Sequence, residues 1–137
     1  MRRGKFITFE GGEGTGKSTQ ARLLAERLEK TGISTLLTRE PGGTALGEDI
    51  RALILKDRPQ DPLTELLLFA AARAEHMTSV IRPALDDGIW VISDRFIDST
   101  RVYQGKLYSI EPEFIAALEN YTVGPDLPDL TLILDLP

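Results

Sequence analysis

The segment Gly11-Gly12-Glu13-Gly14-Thr15-Gly16-Lys17-Ser18, entered from the apolar run Lys5 to Phe9, constrains this chain more than any other stretch. Gly11, Gly16, Lys17 and Ser18 fit the spacing G-x-x-x-x-G-K-[ST], with a β-rich run before it and a helical pattern after it. Phosphate oxygens held by such a loop must be ringed by backbone N–H groups, and side chains would block that approach. Gly11, Gly12, Gly14 and Gly16 leave the backbone able to curl around an anion. Lys17 then offers a point charge to the β- and γ-phosphates and Ser18 a hydroxyl to Mg²⁺, while the helix that follows aims its positive end at the same place. The loop, with Thr19 continuing it, suits a nucleoside triphosphate.

The rest of the chain alternates strand and helix. Strands are expected at about 5–9, 33–38, 89–93 and 130–136, the last two nearly continuous in apolar residues, as strands buried on both faces are. Ala21, Leu24, Ala25 and Leu28 recur at helical spacing, with Gly32 where a C-cap would fall. A second helix is predicted over 46–56, with Ile50, Leu53 and Ile54 as its buried stripe and Arg51 off it. Asp61 as N-cap and Pro62 in the first turn open a long helix to about Val80. Leu66, Leu67, Ala70 and Ala74 are expected to face its core, with Phe69 and Arg73 together on one face. A helical turn over 99–108 and a helix over 112–121, with Phe114, Ile115 and Leu118 buried, complete the pattern. The fold class this predicts is α/β, a doubly wound parallel sheet with helices on both faces. The last strand is followed by no helix, which would leave the sheet under-packed near Leu132 and Leu134. The expectation is therefore an N-terminal part of one larger domain.

Bulk properties exclude several classes. With 16 basic and 21 acidic residues among 137, the net charge is −5, and no polybasic or aromatic-basic run marks a nucleic-acid polymer or anionic membrane as partner. The chain has no cysteine and a single histidine, His76, so neither a disulfide framework nor a zinc cluster is available. The longest apolar run, Leu66 to Ala72, is too short to span a bilayer, and a cytoplasmic location is the default.

Further candidates sit where strands end. In an open parallel sheet the loops after the strands line the ligand crevice, so Arg39-Glu40-Pro41-Gly42-Gly43-Thr44 would face the phosphate loop; the plain reading is a strand-to-helix connection. Asp94 is well placed to hold Mg²⁺ and Arg95 to grip a phosphate; alternatively Asp94 caps a helix and Arg95 makes a structural ion pair. Thr100, Tyr103 and Gln104 share one face, fit for a base and sugar or for solvent. His76 reads as a satisfied polar residue rather than a ligand.

Together FEGGEGTGKST, TREPGGT, LLLFAAARAEH, SDRFIDST, YQG and PDLTLILDLP resemble bacterial thymidylate kinases over nearly the whole chain. The resemblance implies the phosphate-loop kinase fold, ATP as phosphoryl donor to dTMP, Mg²⁺, and a homodimer. It also implies roles for particular residues. Phe69 would stack on thymine, and Arg73, Thr100 and Gln104 would read its edge. Arg51 and Arg95 would hold the acceptor phosphate, and Asp94 and Ser18 would organise the metal. Glu13, Glu40 and Pro41 would lie near the acceptor, with Tyr103 disfavouring a ribose 2′-hydroxyl. Lys17, Arg95 and Asp94 form the implied catalytic set. The phosphate loop carries no arginine, which resembles the branch supplying that residue from a lid further along. After Gln104-Gly105, Lys106-Leu107-Tyr108 departs from the family's small, arginine-containing turn. A regulatory GTPase is disfavoured because Asp94-Arg95-Phe96-Ile97 is not D-x-x-G and no N-K-x-D follows. The competing reading is a nucleotide-binding module with little or no turnover, since an arginine finger can be worth ~10³–10⁵ in rate.

Overall fold

The computed structural model describes residues 2–12, 15–96 and 110–135. Each of the four expected strands is present: β1 (Phe6–Gly11), β2 (Thr35–Arg39), β3 (Trp90–Asp94) and β4 (Leu130–Leu134). They pair in parallel, in the order β2-β3-β1-β4. Central β1 and β3 carry the buried residues, whereas no residue of the edge strands β2 and β4 is fully buried.

Period-two alternation divides the core between the two faces. Ile7, Phe9 and Ile92 pack on Ala21 and Ala25 of α1 (Lys17–Lys30). Phe6 and Val91 face the other way, onto Met77, Ile81, Leu85 and Val123. Leu132 and Leu134 are half-buried against the α1 side, and Ile133 is exposed.

The ends of the helices follow from local chemistry. Beyond α1, the Ile33 N–H donates to Leu28 O and the Gly32 N–H to Glu29 O, the paired bonds of a Schellman cap. For α2 (Ala45–Lys56), Thr44 Oγ1 accepts from the Gly47 N–H at 2.8 Å, and for α3 (Pro62–His76) Asp61 accepts from the Leu63 N–H at 3.2 Å.

Several helical expectations change. The α3 axis does not stop near Val80 but passes through a π-helical turn (Met77–Ile81) into α4 (Arg82–Asp86). The ring of Pro83 would collide with the carbonyl four residues back in an unbroken α-helix, and the wider turn just before it lets the chain continue. Leu67 is exposed rather than in the core, because α3 packs on two partners at once. Leu66 and Ala70 line one small cavity with Ile115 and Leu118 of α5 (Pro112–Thr122), which packs on α3, while Phe69 and Ala72 meet Ile50 and Ile54 of α2. At about 100° per residue these directions leave Leu67 on the outer arc. Leu53 and Phe114 are likewise exposed, with Ile50, Ile54 and Ile115 taking the buried positions.

The chain leaves β1 for β2 across β3, and leaves β3 for β4 across β1. Right-handed crossovers send these two connections to opposite faces, so a crevice opens between the carboxyl ends of β1 and β3.

Candidate active site

At that crevice Gly16 stands as N-cap of α1 and Lys17 is its first residue, buried, with Nζ 3.5 Å from Gly12 O. Thr15 Oγ1 donates to the same carbonyl at 2.8 Å. Unlike α2 and α3, α1 has no side-chain cap among the described residues and no acid in its first turn. Its first N–H groups and the ammonium of Lys17 therefore present positive charge to an anion. Thr19 is exposed on the same turn. Glu13 and Gly14 lie outside the described residues.

Asp94, the last residue of β3, closes the other wall. Its Oδ2 accepts from Ser18 Oγ at 2.7 Å, and its Oδ1 lies 4.0 Å from Lys17 Nζ. Oδ1 is buried with no hydrogen-bond partner among the described residues. A buried oxygen left without a donor, beside a hydroxyl and opposite a phosphate cradle, is the oxygen donor set Mg²⁺ takes when phosphates complete its shell. The residues present fit that ion.

The turn after Asp94 is tightly fixed. Arg95 adopts φ 73°, a left-handed conformation unusual for a residue with a side chain. Its N–H donates to Phe9 O at 2.8 Å and its carbonyl accepts from Ser93 Oγ at 2.8 Å. The next N–H, of Phe96, donates to Glu10 Oε2 at 2.9 Å. Glu10 escaped the sequence reading. Its signal was a carboxylate inside the apolar run of β1, where a buried acid must find donors.

Across the crevice, β2 delivers Arg39 and Glu40. Arg39 is in register with Asp94, and the Glu40 N–H donates to Asp94 O at 3.0 Å. Glu40 is buried, with Oε1 accepting from Arg73 Nε at 2.6 Å and Oε2 2.7 Å from His76 Nδ1. His76 Nε2 meets Thr38 Oγ1 at 2.7 Å, so this histidine is a satisfied polar residue as expected. The Arg73 guanidinium lies over the ring of Phe96, 4.9 Å from its centroid, and that ring meets Phe6 edge-on at 5.0 Å. Phe69 is half-buried beside α2. Thr100, Tyr103 and Gln104 lie outside the described residues.

Positive charge gathers here. Arg51 Nη1 donates to Pro41 O at 3.3 Å. Burial, then the charges of Arg39 and Arg95, push the Arg51 pKa down, against the pull of Glu48 and Asp94. Glu48 binds Arg39 at 2.8 Å and the Gly43 N–H at 3.2 Å; the Arg39 bond, then the Gly43 bond, holds its carboxyl below the usual range. The sequence placed Arg39 at the start of the strand-end loop expected to face the phosphate loop; its ion pair with Glu48, nine residues on, is what the structure adds. Ser18, Thr38, Arg39, Gly43, Glu48 and Asp94 line one cleft of about 420 Å³. Among the described residues no helix is long and apolar enough to cross a membrane.

A triphosphate cradle at the turning point of a parallel sheet, answered across one crevice by a metal-competent carboxylate and converging arginines, defines a phosphate-loop nucleotide-binding protein. Comparison with known proteins narrows the class. The thymidylate kinase family model matches residues 9–137. The thymidylate kinase of Bradyrhizobium diazoefficiens is 57% identical over 137 residues, covering 98% of this chain and 60% of the relative. That of Nitrobacter winogradskyi is 56% identical with the same coverage. The crystal structure of thymidylate kinase from Ehrlichia chaffeensis superposes with a TM-score of 0.90 at 46% identity, covering 97% of this chain and 72% of that one. The chain belongs to the thymidylate kinase family. It spans about 60% of the length of the curated relatives it matches.

Proposed function

We propose that this chain carries the nucleotide- and acceptor-binding machinery of a dTMP kinase, transferring the γ-phosphoryl group of ATP to dTMP to give ADP and dTDP. The observation that supports this most is a continuous path of contacts, two between side chains and one along the backbone, at one end of the sheet. Lys17 lies 4.0 Å from Asp94, Asp94 O accepts from the Glu40 N–H, and Glu40 holds Arg73 at 2.6 Å. The phosphate loop and Arg73 are thus linked at one end of the sheet, which supports a donor cradle and an acceptor pocket that share one crevice.

In this reading an acceptor phosphate oxygen attacks the γ-phosphorus in line as the bond to the β–γ bridging oxygen breaks. Residues Gly11 to Thr19 hold the triphosphate, with Lys17 on the β- and γ-phosphates. Ser18 and Asp94 would hold Mg²⁺, which neutralises charge on the transferring group. Arg51 and Arg95 bring up the acceptor phosphate. Phe69 stacks on the base, Arg73, Thr100 and Gln104 bind its edge, Tyr103 disfavours a ribose 2′-hydroxyl, and Glu13, Glu40 and Pro41 belong to the region near the acceptor. Phosphoryl transfer needs positioned reactants and positive charge rather than a strong base, and these residue types supply both. A cytoplasmic homodimer completes the proposal.

A coupled assay of ADP formation, run beside calorimetric titration of dTMP, tests it. dTMP-dependent turnover that falls by about 10²-fold or more in Asp94→Asn is the expected result. Heat of dTMP binding without turnover would favour the binding module instead. Arg73→Ala should weaken dTMP binding far more than ATP binding; equal losses would discredit the role given to Arg73.

A further inference from the structure

The buried network behind Arg73 does more than satisfy polar groups. Arg73, Glu40 and His76 are all buried, and a buried ion pair contributes little net stability once desolvation is counted. Its geometry is nevertheless tightly specified. Glu40 spends each carboxylate oxygen on a different residue, Arg73 Nε at 2.6 Å and His76 Nδ1 at 2.7 Å. A carboxylate only accepts, so Nδ1 carries the histidine proton. Nε2 faces Thr38 Oγ1 at 2.7 Å, which anchors the ring to β2. The backbone of Glu40 is tied to β3 through Asp94 O. On its other side the Arg73 guanidinium rests on Phe96, whose N–H is held by Glu10.

We propose that Glu40 and His76 are positioning residues for Arg73, setting the direction of its guanidinium before the acceptor nucleotide arrives, and that Glu40 acts on the acceptor through Arg73 rather than by touching it. This rests on the reading of Arg73 as the residue that binds the base. An arginine side chain carries ~2 kcal/mol of rotamer entropy, and a clamp on Nε removes that cost from the binding step. Glu40 grips the nitrogen nearest the stem, so the terminal edge of the fork is the part the clamp aims. His76 in turn fixes the rotamer of Glu40, which would otherwise swing about its own three side-chain bonds.

The test is calorimetric titration of dTMP and of ATP into the wild-type chain, Arg73→Ala, Glu40→Gln, His76→Ala, His76→Asn and the double variant Glu40→Gln/Arg73→Ala, with melting curves for each. Glu40→Gln and His76→Ala should each weaken dTMP by about tenfold while leaving ATP within about twofold, the loss expected for one charge-assisted bond. His76→Asn, whose amide nitrogen can take the place of Nδ1, should restore most of the affinity. The double variant should bind dTMP no more weakly than Arg73→Ala alone, because Glu40 has nothing left to position. Multiplied losses in the double variant would overturn the proposal by showing that Glu40 touches the ligand itself. dTMP binding lost in Arg73→Ala but kept in Glu40→Gln and His76→Ala would overturn it while leaving the role of Arg73 intact. Absence of dTMP binding in the wild-type chain would overturn both. Should Glu40→Gln fail to fold, the pair His76→Ala and His76→Asn decides, since a purely structural role would move ATP and dTMP affinity alike.

Discussion

Gly43→Ala probes how firmly the network under the crevice is packed. Gly43 has φ +82°, and a Cβ built there would fall 2.2 Å from His76 Nε2 and 2.7 Å from Thr38 Oγ1. The ring cannot retreat, being fully buried and bonded at both nitrogens. Two separate terms follow. Forcing an L-residue into the left-handed region costs about 1–2 kcal/mol, of which the stiffer unfolded chain returns about 0.4–1. Overpacking against the ring adds about 1–3 kcal/mol. Gly32 supplies the control, because its φ is +89° and nothing lies within 4 Å of the added carbon. Gly32→Ala should therefore cost about 1 kcal/mol and Gly43→Ala about 2–4 kcal/mol. At roughly 3–5 °C per kcal/mol for a chain of this size, the melting temperature should drop by about 4 °C in the first and about 8–16 °C in the second. Differential scanning calorimetry of the two variants reads this directly. Equal shifts would refute the reasoning, for they would mean that the histidine gives way and that the loop does not close on it.

Two further outcomes are expected. Glu48, held below its ordinary value of 4.5 by Arg39 and then by the Gly43 N–H, stabilises fully above that value and loses its contribution as pH falls through the depressed one. The pair is about half exposed, so Glu48→Gln should cost under about 1 kcal/mol at pH 7, and melting curves at descending pH should show wild type and variant converging below 4.5. A difference that stays constant would remove Glu48 from the acid limb. Leu66 is 1% exposed and Leu67 44%, so Leu66→Ala should lose about 2–5 kcal/mol in urea denaturation and Leu67→Ala under about 0.5, a contrast that similar losses would contradict.

What the sequence determined by itself was encoded by near neighbours. The glycines and Lys17 of the phosphate loop, the caps at Asp61 and Gly32, and the apolar runs of the strands each act within a few residues, so spacing alone reveals them. Asp94 and Arg95 were legible because a strand end in a parallel sheet is a place as well as a sequence position. Tertiary structure decided the rest. Arg73 lies 33 residues from Glu40, Ser18 lies 76 from Asp94, and Glu10 lies 86 from Phe96, and no periodicity connects such pairs. Only the strand order β2-β3-β1-β4 brings Arg39 beside Asp94. Which of two adjacent leucines on α3 is buried was settled by α2 and α5 packing on it from two sides. Amphipathic patterning tells a helix that it has a buried face; the angular position of that face is fixed by the partners it meets.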